Sequence, residues 1–420
     1  MSRSKALLGG ALAALCLGVP AAQAAGPVPA GPAFRVSQCT TCKQELPSIA
    51  GAKNGAFLVD WEGSSAIDRR GILVRSFNAT GAALGGDRQI NRELLRPQYD
   101  AAVALDSKGN YIVVWGEANG DNSDVMAQKL RPTGAPLGAA FKVNVDDPAA
   151  PTPPTDFNPA IATGTDGGFT VVWLRAVPPG VGFPGGPAEV FARRFNAAGA
   201  PLGAQVKISA GLIEGDRPDV CIDSSNRAVA VWTSADRSVP FEPNRKGVSG
   251  RLVAPAGAVE GREIVVALPE YAQLTEPAVS CGKGGTFVVA WTTDRAPGAA
   301  GLSDVVGRRF TRLARPAGAA FRLNSRTAGA QRSPSIVHDA AGNFVAVWET
   351  EDGQAFGIYG RRFNAAGVAS GDDFEAVAEI KPTTKPSDPD LAYVGPSGHF
   401  VVVWQDGTSG ILGRRFKSAP

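Results

Sequence analysis

Seven tryptophans recur through this sequence at a nearly constant spacing, and this spacing constrains the fold more than any other feature. Successive tryptophans are 54 to 59 residues apart. Each one ends an apolar run of five or six residues that is rich in β-branched and aromatic side chains, which is typical of a buried strand and too short for a helix. The sequence is therefore a repeat of one structural unit. The tryptophans are Trp61, Trp115, Trp173, Trp232, Trp291, Trp348 and Trp404.

Strand-like segments flank each tryptophan strand in a fixed order. A short apolar segment, often opened by proline as at 334–336, comes before it. A segment ending in variants of Gly-Arg-Arg-Phe, as at 307–310, comes after it, and a fourth segment such as 321–324 follows. Four short strands joined as an antiparallel meander are the anatomy of a propeller blade.

Turn residues recur in register with these strands. Glycine or asparagine, which adopt positive φ readily, stands six positions before each tryptophan and predicts a hairpin there. A second set of glycines is predicted to close the hairpin between the third and fourth strands, with proline two residues earlier in three units. The first set is Gly55, Gly109, Gly167, Asn226, Gly285, Gly342 and Gly398, and the second is Gly81, Gly134, Gly199, Gly257, Gly318 and Gly367.

The two ends of the repeat complement each other. The last unit stops after Phe416 without a fourth strand, whereas Phe34–Ser37 matches the missing strand and precedes the first unit. We therefore predict an all-β, seven-bladed β-propeller whose N-terminal strand completes the last blade, because closure removes exposed sheet edges. The predicted blades span roughly 44–91, 92–144, 156–209, 216–266, 275–324, 332–377 and 387–416, the last together with 33–37.

This unit resembles the Trp-bearing, four-stranded repeats of bacterial secreted and cell-surface β-propeller proteins, and the resemblance covers essentially the whole mature chain. It differs from WD40 repeats, which end blades in Trp-Asp with an upstream Gly-His. It differs from the sialidase Asp box as well, because the tryptophan here follows the turn glycine by six residues. The resemblance implies a propeller fold and export. Since members of this group are mostly uncharacterised, it assigns no functional residues.

The first 24 residues have the pattern of a secretory signal peptide. Arg3 and Lys5 form a basic start, 6–19 is an apolar run, and 22–24 is a small-x-small cleavage site. Lipidation at Cys16 is disfavoured because Leu15 precedes it at a position where a lipobox needs a small residue. No other run of 18 apolar residues occurs, so residues 25–420 are expected to be exported to the periplasm or the exterior without a membrane span.

Cysteine use fits an oxidising compartment. A local disulfide between Cys39 and Cys42 is the favoured interpretation, over a redox-active or zinc-binding CxxC motif. Cys221 and Cys281 occupy nearly equivalent places in neighbouring repeats and either pair or stay separate. Their offsets within the repeat differ by one residue, which predicts side chains on opposite faces of their strands.

The repeated tryptophans and arginines are expected to serve structure. A residue present in every unit supports what all units share, so we predict tryptophans packed between blades, with sugar-stacking platforms as the alternative. The recurring first arginine of the third strand is expected to pack its stem on an aromatic ring and bond its head to backbone or Asp, with an anion-binding ring as the alternative. These arginines are Arg75, Arg193, Arg251, Arg308, Arg361 and Arg414.

Signs of catalysis or cofactor binding are sparse. The two histidines, His338 and His399, lack partners at metal-ligand spacing, and no hydrolase or nucleotide-binding motif is present in a fitting context. We predict no cofactor. The oxygen-rich segment 121–124 is the one candidate for calcium, although it lacks the alternating ligand spacing of a known loop.

Candidate ligand residues lie in connections that vary between repeats. The long connections 174–189, 233–247 and 267–276 carry Phe183, Phe241 and Tyr271, while Glu117 and Glu349 follow their tryptophans. Loops on a rigid scaffold commonly carry function. We expect a ligand on the face formed by the connections between strands two and three and between blades, near the mouth of the channel.

The function predicted from these features is a binding or interaction module for a glycan, a protein or a surface polymer. The alternatives are a polysaccharide hydrolase or lyase, which would draw two carboxylates from different blades, and a purely structural envelope protein. Net charge is only +3, which argues against nucleic acid as a partner. The chain is expected to be a monomer.

Overall fold

The apolar runs of the sequence form the strands of seven antiparallel sheets. The computed structural model describes residues 26–64, 70–91, 96–146, 153–177, 187–214, 217–235, 246–268, 273–294, 302–351, 356–380, 385–395, 398–407 and 410–417. Within these ranges one short 3-10 turn occurs at Lys283–Gly285. The strands are β1 (Val28–Pro29), β2 (Phe34–Arg35), β3 (Gln44–Gly51), β4 (Phe57–Gly63), β5 (Gly71–Phe77), β6 (Arg88–Gln89), β7 (Gln98–Leu105), β8 (Tyr111–Asn119), β9 (Asn122–Leu130), β10 (Phe141–Lys142), β11 (Asp156–Thr163), β12 (Phe169–Ala176), β13 (Pro187–Phe195), β14 (Val206–Lys207), β15 (Ile213–Glu214), β16 (Asp219–Ile222), β17 (Ala228–Ala235), β18 (Lys246–Val253), β19 (Val259–Ala267), β20 (Leu274–Cys281), β21 (Phe287–Asp294), β22 (Ser303–Phe310), β23 (Phe321–Arg322), β24 (Ala330–His338), β25 (Phe344–Glu351), β26 (Phe356–Phe363), β27 (Phe374–Ile380), β28 (Ser387–Tyr393), β29 (Phe400–Gln405) and β30 (Ile411–Lys417).

Each sheet is one blade, and its strands follow one another outward from a central axis. Blades I to VII begin with the inner strands β3, β7, β11, β16, β20, β24 and β28. These inner strands contact one another in chain order, and β28 contacts β3, so they form a closed ring around an axial channel. The predicted seven-bladed, all-β propeller is confirmed. No helix in the described segments has the length and apolarity needed to cross a bilayer.

The two ends of the channel differ in the connections that surround them. Inner strands begin at the end that also carries the connections between blades and between second and third strands, such as the turn at 120–121; we call this the loop face. The two hairpins of each blade, such as 364–368, surround the other end, which we call the hairpin face.

All seven tryptophans are buried, with at most 3% of each residue exposed. Trp61 packs in a cluster that joins blades VII and I, and Trp232 packs in one that joins blades III and IV. The indole N–H of Trp173 donates to Asp156 at 2.9 Å. An indole of this kind removes about 150–250 Å² from water. The tryptophans therefore hold the blades together, and none forms a surface platform.

Five of the six recurring arginines donate a hydrogen bond to the preceding blade, whereas Arg361 donates to Gly371 of its own blade at 2.9 Å. Arg75 donates from Nη1 to the carbonyl of Val36 at 2.7 Å, and Arg193 does the same to Val143 at 2.7 Å. The guanidinium group of Arg193 also lies 5.5 Å from the ring of Phe195. Each acceptor in a preceding blade lies at the outer edge of that blade, which is the bonding expected of a structural arginine. Equivalent bonds join Arg251 to Ile208, Arg308 to Val266 and Arg414 to Ala376.

The hairpin turns agree with the predicted turn residues except in blade V. The residue six positions before each tryptophan has positive φ in all seven blades. In blade V, however, Ala314 rather than Gly318 closes the second hairpin, with a φ of 56° and its N–H bonded to the carbonyl of Thr311. The prediction of Gly318 was wrong because the glycine nearest to Pro316 lies beyond the four residues that form the turn.

The N-terminal strand closes the ring. Phe34 of β2 lies opposite Gly413 of β30, and its ring occupies the space that a Cβ atom on this glycine would need. The amide of Ile411 donates to Ser37 Oγ at 2.9 Å. Phe34 also contacts Phe77 of blade I, with 5.5 Å between ring centroids. The predicted completion of blade VII by this strand is confirmed.

The predicted local disulfide is present, and so is the second pairing, which the sequence left open. Cys39 and Cys42 form a local bridge, and Cys221 and Cys281 join the inner strands of blades IV and V, with 5.5 Å between their Cα atoms. The one-residue offset was expected to count against the second pair. In the ring it favours the pair, because neighbouring blades meet through opposite faces.

Candidate functional site

A repeated β-bulge shapes the channel mouth at the loop face. Six inner strands carry it close to their start, and in each the bulged residue has a φ between 48° and 54°. This region is strained for residues other than glycine, particularly before proline, which follows five of the six directly. In blade IV, Arg217 precedes Pro218 at the matching place. The bulged residues are Leu46, Asp100, Asn158, Glu276, Ser333 and Asp388.

These six residues and Arg217 form what we call the rim ring. Every blade contributes one residue, and the six bulged residues share one backbone conformation, whereas Arg217 lacks the positive φ. The side chains, in contrast, range from apolar to acidic, basic and amide. Carboxylates of the preceding blade accept the amide N–H of three rim residues. Ser333 donates to Glu276 at 2.8 Å, Asp388 donates to Glu349 at 2.8 Å, and Asp100 donates to Glu62. The scaffold is therefore regular while the chemistry it presents is not.

A second ring, which we call the wall ring, lies two residues further along each inner strand. With the rim ring it surrounds an axial cavity of about 440 Å³. Its polar members bond the inner strands together, since Asp390 accepts from the amide of Ile49 at 2.9 Å and from Ser335 Oγ at 2.7 Å. Asp219 accepts from the amide of Val279 at 2.7 Å. The wall ring is Ser48, Ala102, Ala160, Asp219, Ala278, Ser335 and Asp390.

The two wall-ring carboxyl groups are electrostatically unusual. Burial raises the pKa of Asp219 to about 7, and the charge of Asp390 adds to this increase. Hydrogen bonds to Asp219 lower its pKa, but they offset the effect of burial only in part. Burial also raises the pKa of Asp390, against hydrogen bonds from Ser335 and Ile49. Among the described residues no cationic side chain forms an ion pair with either group. The cavity therefore holds two carboxyl groups that change charge closer to neutral pH than an ordinary Asp.

Asp60 lies directly behind the wall ring, opposite Ser48 in the β3–β4 ladder. It is fully buried, and no other described residue donates a hydrogen bond to its carboxylate oxygens. Burial, followed by repulsion from Asp390, raises its pKa well above the usual range. The other six blades carry valine or alanine at this place, namely Val114, Val172, Val231, Ala290, Val347 and Val403.

A cleft of about 600 Å³ adjoins the axial cavity on the loop face, and the two share Asp100 and Arg217 as lining residues. Tyr99 and Phe157 supply aromatic surface, and Arg70 lines the cleft beside Tyr99, with 5.7 Å from its guanidinium carbon to the ring centroid. Burial raises the pKa of Tyr99 to about 12, so this phenol stays neutral. The cleft combines aromatic and charged surface next to the channel.

The residues proposed from sequence have different positions. Phe183, Phe241 and Tyr271 lie outside the described residues. Glu349 is buried, accepts from Arg332 at 3.0 Å and supports the rim residue Asp388, so it acts beneath the cavity surface. Glu117 is also buried, with its carboxylate 3.5 Å from the indole nitrogen of Trp115.

The candidate calcium segment is engaged in other interactions. Asp124 pairs with Lys142 at 2.6 Å and accepts from Asn144 at 3.2 Å. No group of three or more His, Cys, Asp or Glu side chains within the described ranges is arranged to hold a metal ion. We assign no metal or cofactor to the site.

Sequence reasoning did not single out Asp60, Asp219 and Asp390. A signal for Asp60 exists, because it is the one charged residue inside the repeated apolar strand. Asp219 and Asp390 follow the proline that opens their strands by one residue, a position that is small or polar in every blade. Comparing the seven units position by position would have revealed both.

Comparisons with known proteins support the fold. No protein-family model matches the sequence, and no curated protein is significantly similar to it. A polysaccharide lyase that acts on ulvan is similar in structure, with a TM-score of 0.60, 9% identity and coverage of 92% of this chain and 96% of that one. A protein of unknown function from Dyadobacter fermentans gives 0.56, 12%, 94% and 99%. An α-L-arabinofuranosidase from Fusarium graminearum gives 0.52, 11%, 76% and 93%.

Proposed function

We propose that this protein is an exported carbohydrate-binding propeller whose ligand occupies the axial cavity at the loop face. The rim ring carries the proposal, since six of its seven positions share a bulged backbone while the side chains around the one opening vary in chemistry. Strained backbone of this kind is concentrated at functional sites. Carboxylates, hydroxyls and one guanidinium among small apolar residues are groups that bond polyhydroxyl ligands.

Two further observations support a carbohydrate ligand and export. The similar structures include a polysaccharide lyase and an α-L-arabinofuranosidase. Two disulfides, one of them between blades, fit an oxidising compartment. The predicted signal peptide lies outside the described residues.

Filling the cavity tests where the ligand binds. Ala102→Trp places a large ring in the wall ring, and we expect it to weaken binding of any glycan captured on an array by at least about tenfold, or roughly 1.4 kcal/mol. Ala365→Trp, on the exposed hairpin face, is the matched control and should bind as the parent does. Equal binding by both variants, with unchanged unfolding temperatures, would place the ligand elsewhere and contradict the proposal.

Cleavage of the bound glycan is a second candidate, favoured by the two wall-ring carboxyl groups. A glycosidase needs one protonated and one ionised carboxyl, and Asp219, with a pKa of about 7, fits the protonated acid. Asp390, which accepts hydrogen bonds from Ser335 and Ile49, fits the ionised partner.

Release of reducing ends from polysaccharides measures this activity. We expect Asp219→Asn and Asp390→Asn each to slow cleavage by about 100-fold or more. The parent rate should fall as the pH rises above 7, because the acid must keep its proton. Identical rates in parent and both variants would assign the activity to a contaminant and exclude this candidate.

A further inference from the structure

We propose that the cleft beside the channel is a subsite for the anionic group of an acidic carbohydrate, a carboxylate or a sulfate. This inference rests on the proposed carbohydrate-binding function and extends it to a ligand class. The cleft is lined by Arg70 of blade I, Tyr99 of blade II, Phe157 of blade III and Arg217 of blade IV.

Blade II is built so that the cleft stays open. Its second and third strands, β8 and β9, are joined by the two-residue connection at 120–121. Gly116, which follows the tryptophan of this blade, lies against the Tyr99 ring, and a Cβ atom there would collide with it. The other blades carry larger residues at this place, namely Glu62, Leu174, Thr233, Thr292, Glu349 and Gln405. Gly116 therefore leaves the space beside the second strand that the Tyr99 ring occupies.

The two arginines present their charge to the cleft while their acidic partners lie beneath. The Arg70 side chain is 51% exposed, whereas its partner Glu62 is 2% exposed, at 3.0 Å. The Arg217 side chain is 49% exposed, whereas its partner Asp100 is 15% exposed. Ion pairs of this form orient a guanidinium group while about half of each arginine side chain stays accessible to solvent. The cleft surface that would meet a ligand is therefore more positively charged than the numbers of basic and acidic residues at the cleft suggest.

Guanidinium groups favour planar or tetrahedral anions. The fork of an arginine matches carboxylate and sulfate oxygens with two parallel hydrogen bonds, which makes Arg the preferred residue for such groups. Tyr99, beside Arg70, supplies a ring on which a sugar can stack. Asp121 is an exposed carboxylate at the cleft and repels an anion, so the attraction of the two arginines for the anion must exceed this repulsion. A neutral sugar would leave the two guanidinium groups without this partner.

Isothermal titration calorimetry with matched oligosaccharides tests the subsite. The probes are a short oligogalacturonate and its methyl ester, and a carrageenan oligosaccharide and its desulfated form. We expect one or both anionic probes to bind about tenfold or more tightly than the neutral partner, with an affinity that falls as salt rises. Arg217→Gln should weaken the anionic probe about tenfold and leave the neutral one unchanged, while Arg217→Lys keeps part of the affinity.

Arg131→Gln, on the hairpin face, is the matched control and should bind every probe as the parent does. Preference for the oligogalacturonate identifies a carboxylate, and preference for the carrageenan identifies a sulfate. Equal affinity for charged and neutral probes, or no effect of Arg217→Gln in a variant that unfolds as the parent does, overturns the subsite while carbohydrate binding stands. Failure of every probe, with an empty glycan array, overturns both.

Discussion

The double variant Cys221→Ala/Cys281→Ala is expected to unfold with a free energy about 4 kcal/mol below that of the parent. The bridge closes a loop of 60 residues, and the loss of chain entropy that such a loop imposes on the unfolded state is of this size. The bridge also joins β16 and β20, the inner strands of blades IV and V, which contact each other across the interface between these blades. Denaturant unfolding of the oxidised proteins gives the difference.

The local bridge provides the control for this measurement. Cys39→Ala/Cys42→Ala opens a loop with a sequence separation of 3, and the same relation predicts a loss of only about 2 kcal/mol. If both double variants lost equal stability, or if a reducing agent left the parent unchanged, the blade IV–V bridge would not stabilise the ring as we expect.

Asp60→Val is expected to stabilise the protein, by about 1–3 kcal/mol at pH 8. The reason is that Asp60 is buried without a described partner at a place where five blades already carry valine. Its pKa is raised in the folded state, so its contribution is most favourable below the ordinary pKa of about 4 and is lost as the pH rises through the folded value. The advantage of valine should therefore grow from pH 4 to pH 8.

Asp60→Asn separates charge from shape in this experiment. It keeps a side chain of the same size that cannot ionise, so the pH dependence due to Asp60 should disappear while a buried amide remains. Loss of stability in Asp60→Val at pH 8 would show that the carboxylate has a stabilising partner. If glycan binding weakens in the stabilised variant, Asp60 is retained for its influence on Asp390, whose charge raises the pKa of Asp60.

The repeat allowed the fold to be predicted from the sequence, but it did not reveal the site. Strand order, turns and closure recur seven times, so Trp61 and its counterparts were enough to predict the propeller. The bulged residues, such as Asp100 and Ser333, depend on a backbone distortion that local propensity does not encode. The wall-ring carboxyl groups become neighbours only when distant blades converge on the axis. The one-residue offset of Cys221 and Cys281 was expected to keep their side chains apart, because both strands were treated as if they presented the same face. The two cysteines lie in neighbouring sheets, which contact each other through opposite faces.

The pairing of β1 and β2 with β30 determines when folding can finish. Residues near 30 must wait for residues near 411–417, so most blades can form while the ring is still open. Until then the outer edge of β30 offers unpaired backbone groups to any other strand. Contacts so distant in sequence form slowly. The closing strand is synthesised first and is needed last, so a nascent molecule interrupted near its end would keep the edge of β30 unpaired, whereas β1 and β2 cover that edge in the closed ring.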